Sequence, residues 1–242
     1  EKALQFRFGV VCGGSSLTAA QPMNNVVRVG IETMAAVMGG AQSIFTCAFD
    51  EAYQIPTETS AEIALRTQQI VAEESGVART VDPLGGSYYV EWLTNQMEAE
   101  IDKIMDELDE YGGVVKAIED GHLQAKVAER AKERKQATDS GARPVVGVNV
   151  GMREKNDSDK GEMFSQDPET VKQVLDKHAR IMERRDQAAV DKALLALGAA
   201  AATDTENVMP HLVDCCHAYA TVGEMVATLK KEWGEFQEPV RF

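Results

Sequence analysis

The chain has 242 residues, a formal net charge of −14 and a hydrophobic share of 44%. That length can bury a good core in one or two domains, and the composition is that of a soluble globular protein. The acidic balance argues against a nucleic-acid partner, and neither a membrane-length apolar run nor a signal-peptide pattern occurs.

In chain order, Phe6 to Cys12 reads as a strand, followed by the loop Gly13-Gly14-Ser15-Ser16. An amphipathic helix spans about Gln21 to Met38 and stops at Gly39-Gly40. Gln42 to Cys47 is short, apolar and partly β-branched, a second buried strand, and Asp50 and Glu51 follow its carboxyl end. Strand, loop, helix and strand in this order predict a parallel sheet with helical crossovers, whose sites lie at the carboxyl ends of strands. Thr57 or Thr59 caps a helix running to Glu74, and Gly76 stops it. A short third strand is expected near Arg79 to Asp82, then a rigid turn at Asp82-Pro83-Leu84-Gly85-Gly86.

Tyr88 to Leu108 keeps apolar residues at 3-4 spacing and predicts a long helix ended by Gly112-Gly113. Val114–Asp120 and His122–Gln136 read as two more helices, and Pro144 to Val150 as a last strand-like run. Arg153 to Asp167 is polar and reads as a linker. Asp167-Pro168 opens a long helix with a face of Val171, Val174, Leu175, Ile181, Ala188 and Leu194. Shorter helices follow near Glu206–Ala218 and Val222–Trp233, with Met209, Leu212 and Val213 on a core face.

The 4 cysteines include the adjacent pair Cys215 and Cys216, which do not make a disulfide framework, so a cytoplasmic protein is expected. His211, Cys215, Cys216 and His217 have partial metal-ligand spacing, but adjacent residues face opposite ways on a helix. A structural helix with no metal is the better reading. Cys12 and Cys47 end neighbouring strands and are expected as a reduced, buried pair.

Several segments, in order, resemble the methylmalonyl-CoA mutase family. They are Ser16-Leu17-Thr18-Ala19-Ala20-Gln21-Pro22-Met23-Asn24-Asn25 with Arg28, Gln42-Ser43, Phe49-Asp50-Glu51-Ala52 and Ile55-Pro56-Thr57. Glu73-Glu74-Ser75-Gly76, Asp82-Pro83-Leu84-Gly85-Gly86-Ser87-Tyr88 and Val146-Gly147-Val148-Asn149 continue the series. The resemblance implies an α/β fold: the C-terminal portion of a TIM (β/α)8 barrel over residues 1–150, then a linker and helical extension over 151–242. A complete barrel takes about 250 residues, so the first barrel strands are expected from another chain or from missing sequence.

The resemblance also implies an adenosylcobalamin-dependent acyl-CoA mutase large subunit, carrying out a radical rearrangement of an acyl-CoA thioester. Glu51 falls where the family carboxylate meets the adenosyl side of the cofactor, and is the expected catalytic residue. Gly14 falls where the corrin approaches the backbone, and Gln54 near the corrin. Val11, Gln42 and Cys47 complete the expected cofactor set. Ser43, Arg7 and Lys2 match coenzyme A-contacting positions. Asp120-Gly121-His122 is similar to part of the cobalt-ligating D-x-H-x-x-G signature, but its glycine position is Ala125. The axial ligand is therefore expected from a cobalamin-binding domain or small subunit elsewhere.

Departures from the family pattern occur at Val11, Ser15 and Cys47, where the family commonly has Gln, Trp and Asn, and at Ile44-Phe45-Thr46, where Leu-His-Thr is usual. Two readings follow. One is a catalytic subunit with an altered substrate, and the other is a non-catalytic structural subunit of a heteromeric mutase.

Overall fold

The structure, a computed structural model, describes residues 6–154 and 161–239. Its contacts divide the chain into two compact units that meet between Phe164 and Ser165, so residues 161–164 group with the first unit.

The first unit is built on two short parallel strands, β1 (Gly9–Val11) and β2 (Ser43–Phe45), joined by helix α1 (Asn24–Met38). Gly9 pairs with Ser43, Val10 with Ile44 and Val11 with Phe45. The ladder runs a bond further at each end, through Gln42 N to Phe8 O and Cys12 N to Phe45 O. The expected strands are therefore present, though regular pairing covers less of each than Phe6–Cys12 and Gln42–Cys47. Alternation sends Val10 and Ile44 inward, while Gly9, Val11, Ser43 and Phe45 lie on an exposed face. A small core gathers Cys12, Leu17, Val29 and Cys47, with Ile44 against it.

α1 starts at Asn24, three residues later than its apolar pattern, because Gln21 takes a left-handed turn at φ 49°. That turn builds a polar hub from the Ser16–Arg28 segment. Asn25 is fully buried. Its amide Nδ2 donates to Thr18 O at 2.9 Å and Phe49 O at 2.7 Å, and its Oδ1 accepts from Thr18 N and Arg28 Nη1. Asn25 thus ties the loop after β1 to the loop after β2. Arg28 Nη2 continues to Val146 O at 2.7 Å. Asn25→Ala leaves these buried groups without partners, and should destabilise the chain in its assembled complex by about 3 kcal/mol, read as a lower urea midpoint of that complex. A midpoint equal to wild type would show that water replaces the amide at no cost.

Helix α2 (Glu58–Glu73) packs on α1. Thr57 caps it, its hydroxyl accepting from Ser60 N while Ser60 Oγ accepts from Thr57 N. Gly76, at φ 74°, then turns the chain into a single 3-10 turn, Val77–Arg79.

Two strand expectations fail. Residues 79–82 form no strand: Val77–Arg79 coil, and Asp82 is left-handed at φ 46°, so turn chemistry outweighs the short apolar stretch. Residues 144–150 fold on themselves instead of joining the sheet. Gly147, at φ 84°, reverses the chain, and Gly147 N reaches Val150 O at 2.7 Å. Asn149 Nδ2 pins this loop to Thr138 O and Arg143 O. Among the described residues, the sheet has two strands.

Helices α3 (Tyr88–Tyr111), α4 (Val114–Glu119) and α5 (His122–Asp139) complete the unit. Asp120, Gly121 and His122 form the α4–α5 turn. Gly121 has φ 71°, Asp120 accepts from Lys116 and Tyr111, and His122 stacks on Tyr111 at 4.4 Å.

The second unit holds α6 (Pro168–Arg184), α7 (Gln187–Ala201), α8 (Val208–His217) and α9 (Val222–Trp233). The helix expected to continue from Asp167 through Leu194 is two helices. Arg185 is extended, and Asp186 caps α7 by accepting from Ala188 N and Ala189 N. α7 packs on α8 and α9 around Leu197, Cys215 and Met225. Leu212 joins that core, but Met209 and Val213 are exposed. Arg185 also grips Glu224 through both guanidinium nitrogens, at 2.7 and 2.8 Å, and with Thr221 holds that carboxyl down to about 2.

Candidate functional site

The carboxyl ends of β1 and β2 place two loops side by side. Gly13–Ser16 leaves β1, with a 3-10 turn at Gly14–Ser16, and Ala48–Pro56 leaves β2. Of the expected residues, Gly14, Cys47 and Glu51 meet here. A Cβ on Gly14 would collide with Glu51 Oε1 and lie 3.3 Å from Glu51 Cδ and 4.0 Å from Cys47 Sγ. The missing side chain at Gly14 is thus what lets the carboxylate lie against the turn. Glu51 is exposed, whereas its neighbour Asp50 is buried.

Cys47 is 3% exposed, and its thiol donates to Cys12 O at 3.0 Å. Burial first, then the Glu51 carboxylate, pushes the thiol up to about 12. Cys12 is also buried and raised, chiefly by desolvation, and lies 3.8 Å from Thr33 Oγ1. Both thiols are therefore protonated and unreactive at neutral pH, as expected of a reduced buried pair.

The Cys47 shift has a consequence for stability. Below pH 9 the thiol holds its proton in both folded and unfolded chains. Between the ordinary thiol value of 9.0 and about 12, only the folded chain keeps it, so stability falls as pH rises across that window. Glu51→Gln removes one cause of the shift. It should lower the pH at which Cys47 reacts with a thiol reagent in the Cys12→Ala, Cys215→Ala, Cys216→Ala background. An unchanged reactivity profile would place the carboxylate away from the thiol.

The remaining expected residues lie elsewhere. Val11 is 70% exposed beside Phe45 on the outward face of the sheet. Ser43 shares that face at the amino end of β2, where its Oγ lies 2.5 Å from the Cβ position of Gly9. A side chain at Gly9 would require the Ser43 hydroxyl to turn away. Gln42 extends the ladder with its side chain, Oε1 accepting from Phe8 N at 2.8 Å and Nε2 donating to Gly40 O. Arg7 is exposed and makes no hydrogen bond or ion pair among the described residues. Arg7, Gln42 and Ser43 thus lie toward the amino ends of the strands, from about 10 Å (Ser43, level with Gly9) to about 17 Å (Arg7) along the strand direction from Cys12. Lys2 lies outside the described residues.

Gln54 is committed to the protein itself. Nε2 donates to Asp50 Oδ2 at 2.9 Å and to Glu162 O at 3.1 Å, and Oε1 accepts from Phe164 N at 2.9 Å. It clips residues 162–164 to the loop after β2. Sequence reasoning missed this clip, which spans more than a hundred residues of chain, and it missed Glu32, whose Oε1 accepts from Ser16 Oγ at 2.5 Å.

Among the described residues, no group of three or more His, Cys, Asp and Glu side chains could hold a metal. His211 in α8 pairs with Glu206 at 3.0 Å. No helix among them is long and apolar enough to cross a membrane.

The carboxyl ends of parallel strands, where Gly14 and Glu51 meet, are where α/β folds bind their ligands. The family model described as Methylmalonyl-CoA mutase matches residues 1–235, and the chain belongs to that family. It is 42% identical over 237 residues to the 2-hydroxyisobutanoyl-CoA mutase large subunit of Aquincola tertiaricarbonis, covering 98% of this chain and 42% of that one. It is 42% identical over 235 residues to the mitochondrial methylmalonyl-CoA mutase of Homo sapiens, covering 97% and 31%. With the methylmalonyl-CoA mutase of Escherichia coli (strain K12), identity is 41%, covering 98% and 33%. The chain thus spans less than half the length of these relatives.

Proposed function

We propose that the chain is part of the large subunit of an adenosylcobalamin-dependent acyl-CoA mutase, forming the last part of a TIM (β/α)8 barrel and the helical extension after it. The observation that carries the proposal is the contact of Glu51 with bare Gly14 at the carboxyl ends of two parallel strands, in a chain matched to the family almost throughout. The exposed sheet face and α3 support the barrel. Tyr89, Trp92, Met97, Ile101 and Ile104 are 50–67% exposed, an apolar stripe that further barrel elements would cover.

These residues fit the cofactor. Gly14, half-buried, leaves room for the Glu51 carboxylate to lie against the turn, and exposed Glu51 stands where the adenosyl side of the cofactor would be met. Adenosylcobalamin, when bound, supplies the radical chemistry of the carbon-skeleton rearrangement. Glu51 orients groups on the adenosyl side, and the paired strands hold Gly14 and Glu51 in register. Arg7 and Ser43, at the opposite end, suit the phosphate-bearing end of an acyl-CoA running along the strands. Asp120 and His122 are spent on their own turn, so the cobalt ligand comes from another domain or chain.

The test is Glu51→Ala in the assembled enzyme. Turnover should fall, or cofactor inactivation accelerate, by about 10- to 100-fold. Wild-type turnover and cofactor lifetime would remove Glu51 from the site. An assembled wild-type complex that binds cobalamin without turnover would favour the non-catalytic subunit.

A further inference from the structure

The turn that carries Gly14 is short and has few internal bonds of its own. Ser16 N donates to Gly13 O at 3.0 Å, and Leu17 N donates to Gly14 O at 3.1 Å. Both span a single 3-10 turn with no side-chain cap at Gly13. Such a turn opens readily unless something outside holds it.

Two side chains reach it from other elements, and a third holds the chain just after it. Asn25 secures Thr18, downstream of the turn. Arg134 of α5 donates to Ser15 O at 3.1 Å. Glu32, a part-buried residue of α1, accepts a hydrogen bond from the Ser16 hydroxyl at 2.5 Å, the shortest of these bonds. The Ser16 hydroxyl has one proton, and the carboxylate competes for it against Gly13 O at 3.0 Å. A charged acceptor wins that competition.

Glu32 is also poised unusually. Its second oxygen, Oε2, is buried and has no hydrogen-bond partner. Keeping a half-satisfied carboxylate under a loop costs stability. A packing role alone would be served as well by an apolar side chain. The charge reaches the neighbouring thiols too, adding to the upward push on Cys12 and Cys47. So the turn lies between two carboxylates: Glu51 against Gly14 and Glu32 on Ser16.

We propose that Glu32 is a positioning residue: through Ser16 it fixes the Gly13–Ser16 turn so that Gly14 stays in place against Glu51. The inference deepens the proposed function, since the Gly14–Glu51 face is the one assigned to the cofactor, but the ordering of the turn stands without it. Glu32 touches no reacting group.

The test compares Glu32→Ala, Glu32→Gln and Ser16→Ala by two readouts. The first is hydrogen exchange at the Ser16 and Leu17 amides in the chain as assembled with its partner. Glu32→Ala and Ser16→Ala should each speed exchange by about tenfold, and Glu32→Gln, which keeps an acceptor, should stay within about threefold of wild type. The second is cobalamin affinity by absorbance titration, which should weaken in the same order. Circular dichroism controls for folding. If Glu32→Ala leaves exchange at both amides unchanged in a folded complex, Glu32 does not position the turn. Equal losses in Glu32→Ala and Glu32→Gln would also overturn the proposal, since they would make the residue a packing element. If wild type binds no cobalamin while the exchange pattern holds, the functional reading fails and the positioning role stands.

Discussion

Produced by itself, the chain should run in size-exclusion chromatography with light scattering as oligomers or aggregates, not as one monodisperse monomer. The reason is the imbalance between what the first unit buries and what it leaves out. Among the described residues its sheet has two strands of three residues each, and isolated two-stranded pairs are marginal in water. Each strand has one edge with no partner among the described residues, a template for association. Val11 and Phe45 stand 70% and 61% exposed on the outward face, and α3 has no buried residue along its 24 positions. Patches of this kind cover protein interfaces or drive aggregation. Mixed or co-expressed with a polypeptide carrying the first barrel strands, the chain should enter a soluble complex of defined stoichiometry. Covering should at the same time protect the α3 amides from exchange. A monodisperse, cooperatively unfolding monomer of the isolated chain would contradict this account.

The second large effect concerns the substrate. Val11 and Phe45 present an apolar wall on the sheet face between the Arg7–Ser43 end and the Gly14–Glu51 end. Apolar walls accept added methylenes and discriminate by about 1–3 kcal/mol per group. A polar substrate group left unpaired there costs a similar amount, about 1–3 kcal/mol. Both effects favour an acyl group bulkier or less polar than methylmalonyl. Cys47 does not share in the wall, because its side chain is buried and bonded to Cys12 O. Val11→Gln should therefore shift the ratio of kcat/KM toward methylmalonyl-CoA by about tenfold or more. Cys47→Asn, which forces an amide into a packed site, should lower stability more than it changes preference. If the native complex already prefers methylmalonyl-CoA over longer and branched acyl-CoA substrates, the wall does not set specificity. The same follows if Val11→Gln leaves the ranking untouched.

What could be read from the sequence were features with local causes. Thr57, Gly76, Gly112 and Asp167 mark helix ends by their own chemistry, and each stands at or beside the end assigned to it. The parallel pair was legible because both strands are apolar and one amphipathic helix separates them. The strand expected at residues 79–82 failed because a strand is defined by its neighbour, and a short apolar run beside Asp82-Pro83 has turn chemistry of its own. The break between α6 and α7 was hidden because the apolar spacing runs on through Arg185, while the cap at Asp186 sits inside a charged run.

The family resemblance singles out Gly14 and Glu51, and the structure places them in contact, while their roles toward a cofactor are the proposal made above. The work of Asn25, Glu32 and Gln54 was not legible in the sequence. Each acts by hydrogen bonds to loops distant in sequence, and nothing in the local pattern tells such an amide or acid from a solvated one. Much of the motif that carries the family likeness turns out to hold loops in place: Thr18, Asn25 and Arg28 join the two site loops and the residue 146 turn.

The central claim is that this chain supplies one wall and the Gly14–Glu51 cofactor face of an acyl-CoA mutase. The most direct measurement is an anaerobic assay of the purified complex between this chain, a polypeptide carrying the first barrel strands and a cobalamin-binding domain, with adenosylcobalamin and a panel of acyl-CoA thioesters. The account predicts isomerisation of at least one thioester, dependent on adenosylcobalamin and depressed by Glu51→Ala. A folded, stoichiometric complex that binds adenosylcobalamin yet isomerises none of the panel would contradict it.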